Sequence, residues 1–378
     1  MKKMLLYSSG IILEEKPTGG ELRFLELAGA MSDRDDSALC CADPEEKLRE
    51  RGLHAAYRLK EGTSAPKALP EEARILLSNR TLLKQIRQEA YDAVIAFDVP
   101  PAVGLCLSGV KNLVLMIRKD LIGYERAKTE KKGIRFSFRI CYQWLCESLC
   151  LSHARMVICQ CAYDRDMLVR RHPLYRKRLI QRTRIQINNV NPAWIIQRSE
   201  AVETVKRSIE RFRICFIGGF DDLRKGQRLF LEAAEHLSEK YSDIEFLLVG
   251  GGKQQPSYAK RYASEQIRFF GRMDNPVGVL KSCDLLVVPS LADSCPNTVM
   301  EALYNHIPVI GSRAGGIPDI LQDEAALFEP DTESLQKKAE AYYLDRDALY
   351  RLQTEQGKRA EELKFDWPER ITGLILDS

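Results

Sequence analysis

The sequence predicts an α/β protein of two Rossmann-like domains, and three observations carry that prediction. At 378 residues the chain exceeds what a single hydrophobic core usually serves. Short apolar runs alternate with helical patterns in both halves, the mark of βα repetition and hence of parallel sheets. Between the halves, the turn-rich Asn188-Asn189-Val190-Asn191-Pro192 and a charged segment at 199–211 interrupt the alternation and read as a domain end and a linker. The expected domains are residues 1–195 and 212–355, followed by a helical tail at 356–378.

In the first half, residues 3–7, 38–41, 93–97, 113–117, 156–161 and 185–187 read as buried strands. After the first of these, Pro17-Thr18-Gly19-Gly20 precedes a helical run at 21–31. Paired glycines suit a plain turn or a close approach of backbone to a diphosphate. Their place after strand one favours the second reading for Gly19 and Gly20. Residues 136–151 are apolar along a helical segment that follows a basic stretch at 118–132.

The second half opens with a strand at 214–217, the loop Gly218-Gly219-Phe220-Asp221-Asp222, and Lys225-Gly226 before a helix at 227–240. Strands at 244–249, before three glycines, and at 267–270 follow. The stretch 285–321, LLVVPSLADSCPNTVMEALYNHIPVIGSRAGGIPDIL, then reads as strand, loop, helix, strand and glycine loop. Asp293 lies before the helix and Glu301 about two turns inside it, so two carboxylates can approach one place from two directions. In a parallel sheet the carboxyl ends of the strands are where ligands bind, and helix N-termini there favour anions.

These residues resemble glycosyltransferase family 4, retaining nucleotide-sugar-dependent enzymes of two-domain GT-B architecture. The family signature, a Glu, seven residues, Glu-Ala, then a GGxPE-like loop, is present here as Asp293 to Glu301-Ala302 and Gly315-Gly316-Ile317-Pro318-Asp319, with both acids outside the helix shortened to Asp. The resemblance implies two domains facing a central cleft, with the tail crossing back to the first. It implies that Gly218, Lys225, Asn297 and Thr298 serve the donor diphosphate, Glu301 the ribose hydroxyls, Met273 the base through its backbone, and Asp293 the sugar ring. Relatives carry an Arg shortly after the first glycine of the Gly218 loop; Arg224 is the substitute here. They also place a His after the fourth N-terminal strand. That place holds Leu115-Met116-Ile117-Arg118-Lys119-Asp120, which leaves Arg118 and Asp120 as catalytic candidates.

Composition bounds the remaining choices. The 29% charged and 45% hydrophobic content is ordinary for a globular protein. No secretory h-region follows Met1-Lys2-Lys3, so a cytoplasmic location is expected. Eleven cysteines without a CxxC pair read as small buried hydrophobes. Three Asp-Arg-Asp triplets, at 33–35, 164–166 and 345–347, suit exposed helix starts better than a metal site, and no metal or cofactor is expected beyond the nucleoside-diphosphate sugar itself. Residues 1–200 carry 34 basic and 24 acidic side chains against 23 and 29 in residues 201–378. The basic run 170–184, with seven Lys or Arg and no acid, reads either as a solvated face or as peripheral contact with an anionic membrane. No nucleic-acid-binding pattern accompanies the charge. The expected function is transfer of a sugar to a glycan or lipid-linked acceptor, of the kind used in surface polysaccharide biosynthesis. A nucleotide-sugar 2-epimerase and a non-catalytic sugar-nucleotide-binding partner are the alternatives.

Overall fold

The computed structural model describes residues 2–13, 19–60, 70–128, 133–190, 210–273 and 275–377. The chain divides into two units: one of Met1–Ile122, Lys131–Gln186 and Asp366–Ser378, the other of Gly123–Glu130 and Ile187–Phe365.

The first unit is a parallel sheet of β1 (Met4–Tyr7), β2 (Ser37–Cys41), β3 (Tyr57–Arg58), β4 (Ala93–Phe97), β5 (Leu113–Ile117), β6 (Met156–Cys159) and β7 (Thr183–Ile185), in the order β3-β2-β1-β4-β5-β6-β7. All of its pairings are parallel. Strands β1, β4, β5 and β6 are buried at every residue, which is why they read as unbroken apolar runs rather than alternating ones. The helices are α1 (Gly19–Ser32), α2 (Glu45–Glu50), α3 (Glu71–Ser78), α4 (Arg80–Gln88), α5 (Val99–Leu107), α6 (Leu121–Lys128), α7 (Ile134–His153), α8 (Ala162–Arg171) and α9 (Arg176–Arg182). The strand order reverses between β1 and β4, which lie side by side although their connections leave in opposite directions. That pair is the switch point, where a crevice opens beyond the carboxyl ends.

The tail belongs to this unit only from Asp366. The expected helix at 356–378 is two: Arg346–Glu362 ends within the second unit, and Trp367–Leu376 begins afresh behind Asp366, whose carboxylate accepts from Glu369 N at 2.7 Å. Trp367 is fully buried, with the Arg23 guanidinium of α1 5.6 Å from its ring.

The second unit is a parallel sheet of β8 (Phe212–Ile217), β9 (Ile244–Val249), β10 (Ile267–Gly271), β11 (Leu285–Val288), β12 (Val309–Ser312) and β13 (Leu327–Phe328), in the order β10-β9-β8-β11-β12-β13. Its switch point is β8 beside β11. Arg213 of β8 stands opposite Glu245 of β9, 2.6 Å away, and Arg268 of β10 reaches the same carboxylate at 2.7 Å. This charge ladder, buried at Arg213 and Glu245 and exposed at Arg268, ties three strands together.

Three expected boundaries move. The strand foreseen at 156–161 stops at Cys159, because Cys161 already caps α8. The last strand of the first sheet is Thr183–Ile185 rather than 185–187. The first unit also ends before Asn188 and not at 195. Val190 lies in the second core, and Asn188 and Asn189 are buried within the second unit, where Asn189 Nδ2 donates to Phe365 O at 2.7 Å.

Candidate functional site

In the second unit, four loops converge at the carboxyl ends of β8, β9, β11 and β12, and glycines set how closely they pack. Gly218 N donates to Val249 O at 2.9 Å and Phe220 N to Gly251 O at 3.0 Å, so the loop after β8 lies against the loop after β9. Asp221 clamps the latter, accepting from Lys253 N at 2.9 Å and Gln254 N at 3.0 Å. Those two amides hold its carboxyl below the usual range.

The loop after β8 then turns through Leu223–Lys225 to Gly226, whose φ of 71° precedes the helix Gln227–Lys240. A Cβ on Gly226 would sit 1.9 Å from Pro289 O at the end of β11, so only glycine lets Lys225 come this near the next loop. There the Lys225 ammonium meets the Asp293 carboxylate at 2.5 Å. The glycine loop after β12 closes from the other side: Gly316 N donates to Asp293 O at 2.8 Å, and a Cβ on Gly315 would lie 2.1 Å from that carbonyl.

Behind Asp293, Pro296 leads into the helix Asn297–Tyr304. Asn297 and Thr298 form its first turn, where backbone N–H groups lack intrahelical partners and favour an anion. Glu301 is 8% exposed in the middle of this helix. An ionised carboxylate so placed must be compensated by donors, which gives it a role beyond solubility.

The structure thus brings Gly218, Lys225, Asp293, Asn297, Thr298 and Glu301 to one sheet edge. Met273, two residues beyond β10, packs partly buried on the same unit's core. Arg224 is placed differently from the expectation of a free phosphate ligand. Asp222 grips its guanidinium at 3.0 and 2.7 Å, Ala292 O accepts from it at 3.2 Å, and Leu291 N donates to its carbonyl at 2.6 Å. Arg224 braces the loop that carries Asp293.

Two residues that sequence reasoning assigned no site role join this edge. Asn188 N donates to Cys295 Sγ at 3.4 Å and its side-chain amide reaches Asn297 Oδ1 at 3.5 Å, so it positions the start of the Glu301 helix. Asp221 fixes the β9 loop. Asn188 was visible only as a turn former, because its partners lie 107 and 109 residues away.

In the first unit, a cavity of about 210 Å³ opens at the β1/β4 switch point, lined among others by Tyr7, Ser8, Glu21, Phe97 and Arg118. Arg118 is held there by Asp98: its backbone N donates to Oδ1 at 2.9 Å, and its Nε and Nη2 to Oδ2 at 3.0 and 2.8 Å. Asp98 follows β4 directly and takes φ 65°, an uncommon conformation for a residue with a side chain. Asp120 faces elsewhere. It pairs with Arg171 at 2.6 Å, which also binds Glu147 at 3.1 Å, and does not line the cavity. Of the two substitutes for the missing His, only Arg118 reaches the switch point. Gly19 and Gly20 open α1, while residues 14–18 before them lie outside the described residues. Among the described residues no group of three His, Cys, Asp or Glu side chains could hold a metal ion.

Residues 211–345 match the family described as Glycosyl transferases group 1. The match covers less than half of the chain and lies within the second unit, which is similar there to group 1 glycosyltransferases. Sulfoquinovosyl transferase SQD2 of Arabidopsis thaliana is 28% identical over 159 residues, 40% of this chain and 31% of that protein. N-acetyl-alpha-D-glucosaminyl L-malate synthase of Bacillus anthracis is 27% identical over 157 residues, 40% of each. The matched stretches span less than half the length of these relatives. Over the whole chain, the structure of Anabaena HepE in complex with UDP-glucose superposes with a TM-score of 0.69 at 15% identity, covering 100% of both chains. At that identity the likeness shows the fold, which is GT-B.

Proposed function

We propose that the protein is a retaining, metal-independent glycosyltransferase that moves a sugar from a nucleoside diphosphate to a glycan or lipid-linked acceptor in surface polysaccharide biosynthesis. The observation that carries the reading is the Lys225–Asp293 contact at a sheet edge whose glycines force the loops together. Lys225 supplies the charge that a departing diphosphate needs, and the Asn297–Tyr304 helix adds N–H donors. Glu301 offers two acceptors to the two ribose hydroxyls. Asp293, carried on a loop braced by Arg224, meets the sugar hydroxyls while Lys225 takes the phosphate. The acceptor belongs to the first unit, whose cavity at Arg118 offers hydroxyl, carboxylate, aromatic and cationic groups suited to a polyhydroxylated molecule. Peripheral contact with an anionic membrane on the cytoplasmic face completes the proposal, and among the described residues no helix is long and apolar enough to cross a bilayer.

HepE forms a complex with UDP-glucose, so that is the first donor to test. A panel of nucleotide sugars should show one that raises the melting temperature, since a ligand at a hundred times its Kd adds about 2.7 kcal/mol. Slow hydrolysis of that donor by pure protein is the expected outcome. If no donor binds, or one binds and is never cleaved with or without acceptor extracts, the transferase reading fails.

A further inference from the structure

Helix α7 carries apolar side chains on the wrong side for a core. Ile134, Phe138, Cys141 and Leu145 recur at steps of four, three and four, which places them within one narrow arc of the helix. Ile134 is 77%, Phe138 72% and Leu145 55% exposed, and Cys141 is exposed as well. The buried side of the same helix is formed by Glu147, Cys150 and Leu151. The helix therefore already has its core face, and the second apolar stripe is exposed.

The end of that stripe meets a cationic turn. Trp144 stacks on His172 with ring centroids 5.4 Å apart and donates its indole N–H to Arg171 O at 3.2 Å, which fixes the α8 end beside α7. Leu174, 94% exposed, follows at once, and then Arg176 and Lys177, both exposed at the start of α9. Arg178 Nη2 donates to Ser152 O at 2.6 Å, so α9 is anchored on the last turn of α7. Among the described residues, carboxylates are few around this surface. Glu147 is buried and bound by Arg171, Glu72 accepts from Tyr142 at 3.2 Å on one flank, and Asp166 pairs with Arg165.

We propose that α7 and the α8–α9 turn form a docking surface for an anionic lipid bilayer, with Ile134, Phe138, Leu145 and Leu174 entering the acyl boundary and Arg176 and Lys177 meeting the headgroups. Charge complementarity selects this occupant: residues 133–186 hold eleven Lys or Arg against three Asp or Glu. A continuous apolar stripe with a cationic rim is what an interfacial helix needs, and neither part alone binds tightly. The inference locates the membrane contact of the proposed function but uses none of its donor chemistry.

The test is cosedimentation of the full chain with vesicles of phosphatidylcholine, with and without phosphatidylglycerol. Wild type should bind the mixed vesicles at low salt and leave the neutral ones. Phe138→Glu with Leu145→Glu should lower binding about 100-fold, and Arg176→Glu with Lys177→Glu about 30-fold, with a weaker salt dependence. All four positions are exposed, so the melting temperature should hold; Phe138→Ser with Leu145→Ser repeats the test without added charge. Binding that survives the stripe variants overturns the proposal. So does a wild type that ignores the mixed vesicles, including one that sediments as a dimer broken by the stripe variants. Donor hydrolysis is read separately, and its absence would not touch the vesicle result.

Discussion

The two units carry the same parallel-sheet plan and end in very different strand edges. In the second, the loops beyond β8, β11 and β12 are locked: Gly226 and Gly315 stand where a Cβ would collide with a backbone carbonyl, and Lys225 meets Asp293 between them. In the first, the edge at β1 and β4 is an open cavity, and among its described lining residues the cation is Arg118, held by Asp98. A diphosphate presents the same oxygens whatever sugar it carries, so a tight backbone frame suits it. Acceptors differ, and an open frame lets side chains do the choosing.

The sharpest way to break this comparison is to put the same methyl group into the locked edge and, as a backbone control, just beyond the C-terminal end of α2 in the first unit. Gly226 and Gly52 share nearly the same φ, 71° and 68°, but Gly52 has nothing within 4 Å of its Cβ position. Gly52→Ala should therefore cost only the backbone term, about 1 kcal/mol, and spare donor turnover. Gly226→Ala must move Pro289 or Lys225 and should lower turnover more than about 100-fold, as displacements near 1 Å do. Equal melting temperatures and equal turnover in the two variants would show that the locked edge has no functional meaning.

Lys225→Met comes next. It removes one charge-stabilising donor and leaves the frame, so turnover should fall by about 100-fold or more, corresponding to about 2.7 to 4 kcal/mol in the transition state. Donor hydrolysis by purified variant, with an unchanged melting temperature, is the measurement. Undiminished hydrolysis would remove Lys225 from the diphosphate.

How far the sequence reveals this follows from what each feature depends on. Central strands such as β9 and β11 are apolar at nearly every position because both faces are covered, and they were legible. Two-residue β3 and β13 carry no period and were not. Lys225 and Asp293 were legible as motif members but not as a pair, since 68 residues separate them. Arg224 shows the limit of spacing: one position from Lys225, it bends back onto Asp222 instead of facing a ligand. The lone charged residue after an apolar strand was the available signal for Asp98. Its φ of 65° and its grip on Arg118, twenty residues on, are tertiary facts.

Asp293 tests how the locked edge meets the sugar. Its carboxylate is one methylene shorter than the family's Glu, and Gly316 N holds its carbonyl at 2.8 Å, so a direct contact with the sugar requires this loop to lie further inward. Asp293→Glu should then overfill the sugar site and lower transfer about as much as Asp293→Asn, roughly 10- to 100-fold for a misplaced contact near the reacting carbon. A Glu variant as fast as wild type, with Asn slow, would mean that Asp293 works through water. Wild-type rates in both would leave it a loop carboxylate.

The smallest expected effect lies at the open edge. Asp98→Asn keeps the size and branching of the side chain, so it meets the same positive-φ backbone that Asp98 already adopts, and it preserves an acceptor for Arg118 N. What changes is the hold on the guanidinium: the amide nitrogen that takes the place of Oδ2 cannot accept, so the two bonds from Arg118 Nε and Nη2 are lost. Arg118 is partly exposed, so water takes up the freed N–H groups and the net loss is about 1 kcal/mol; the KM for acceptor should shift by about fivefold while donor hydrolysis stays at the wild-type rate. Arg118→Lys should reproduce that pattern, because an ammonium cannot make the two-pronged contact. If both variants slow donor hydrolysis instead, Arg118 acts on the donor sugar, and the division into a locked donor edge and an open acceptor edge would have to be redrawn with Asp98 on the donor side.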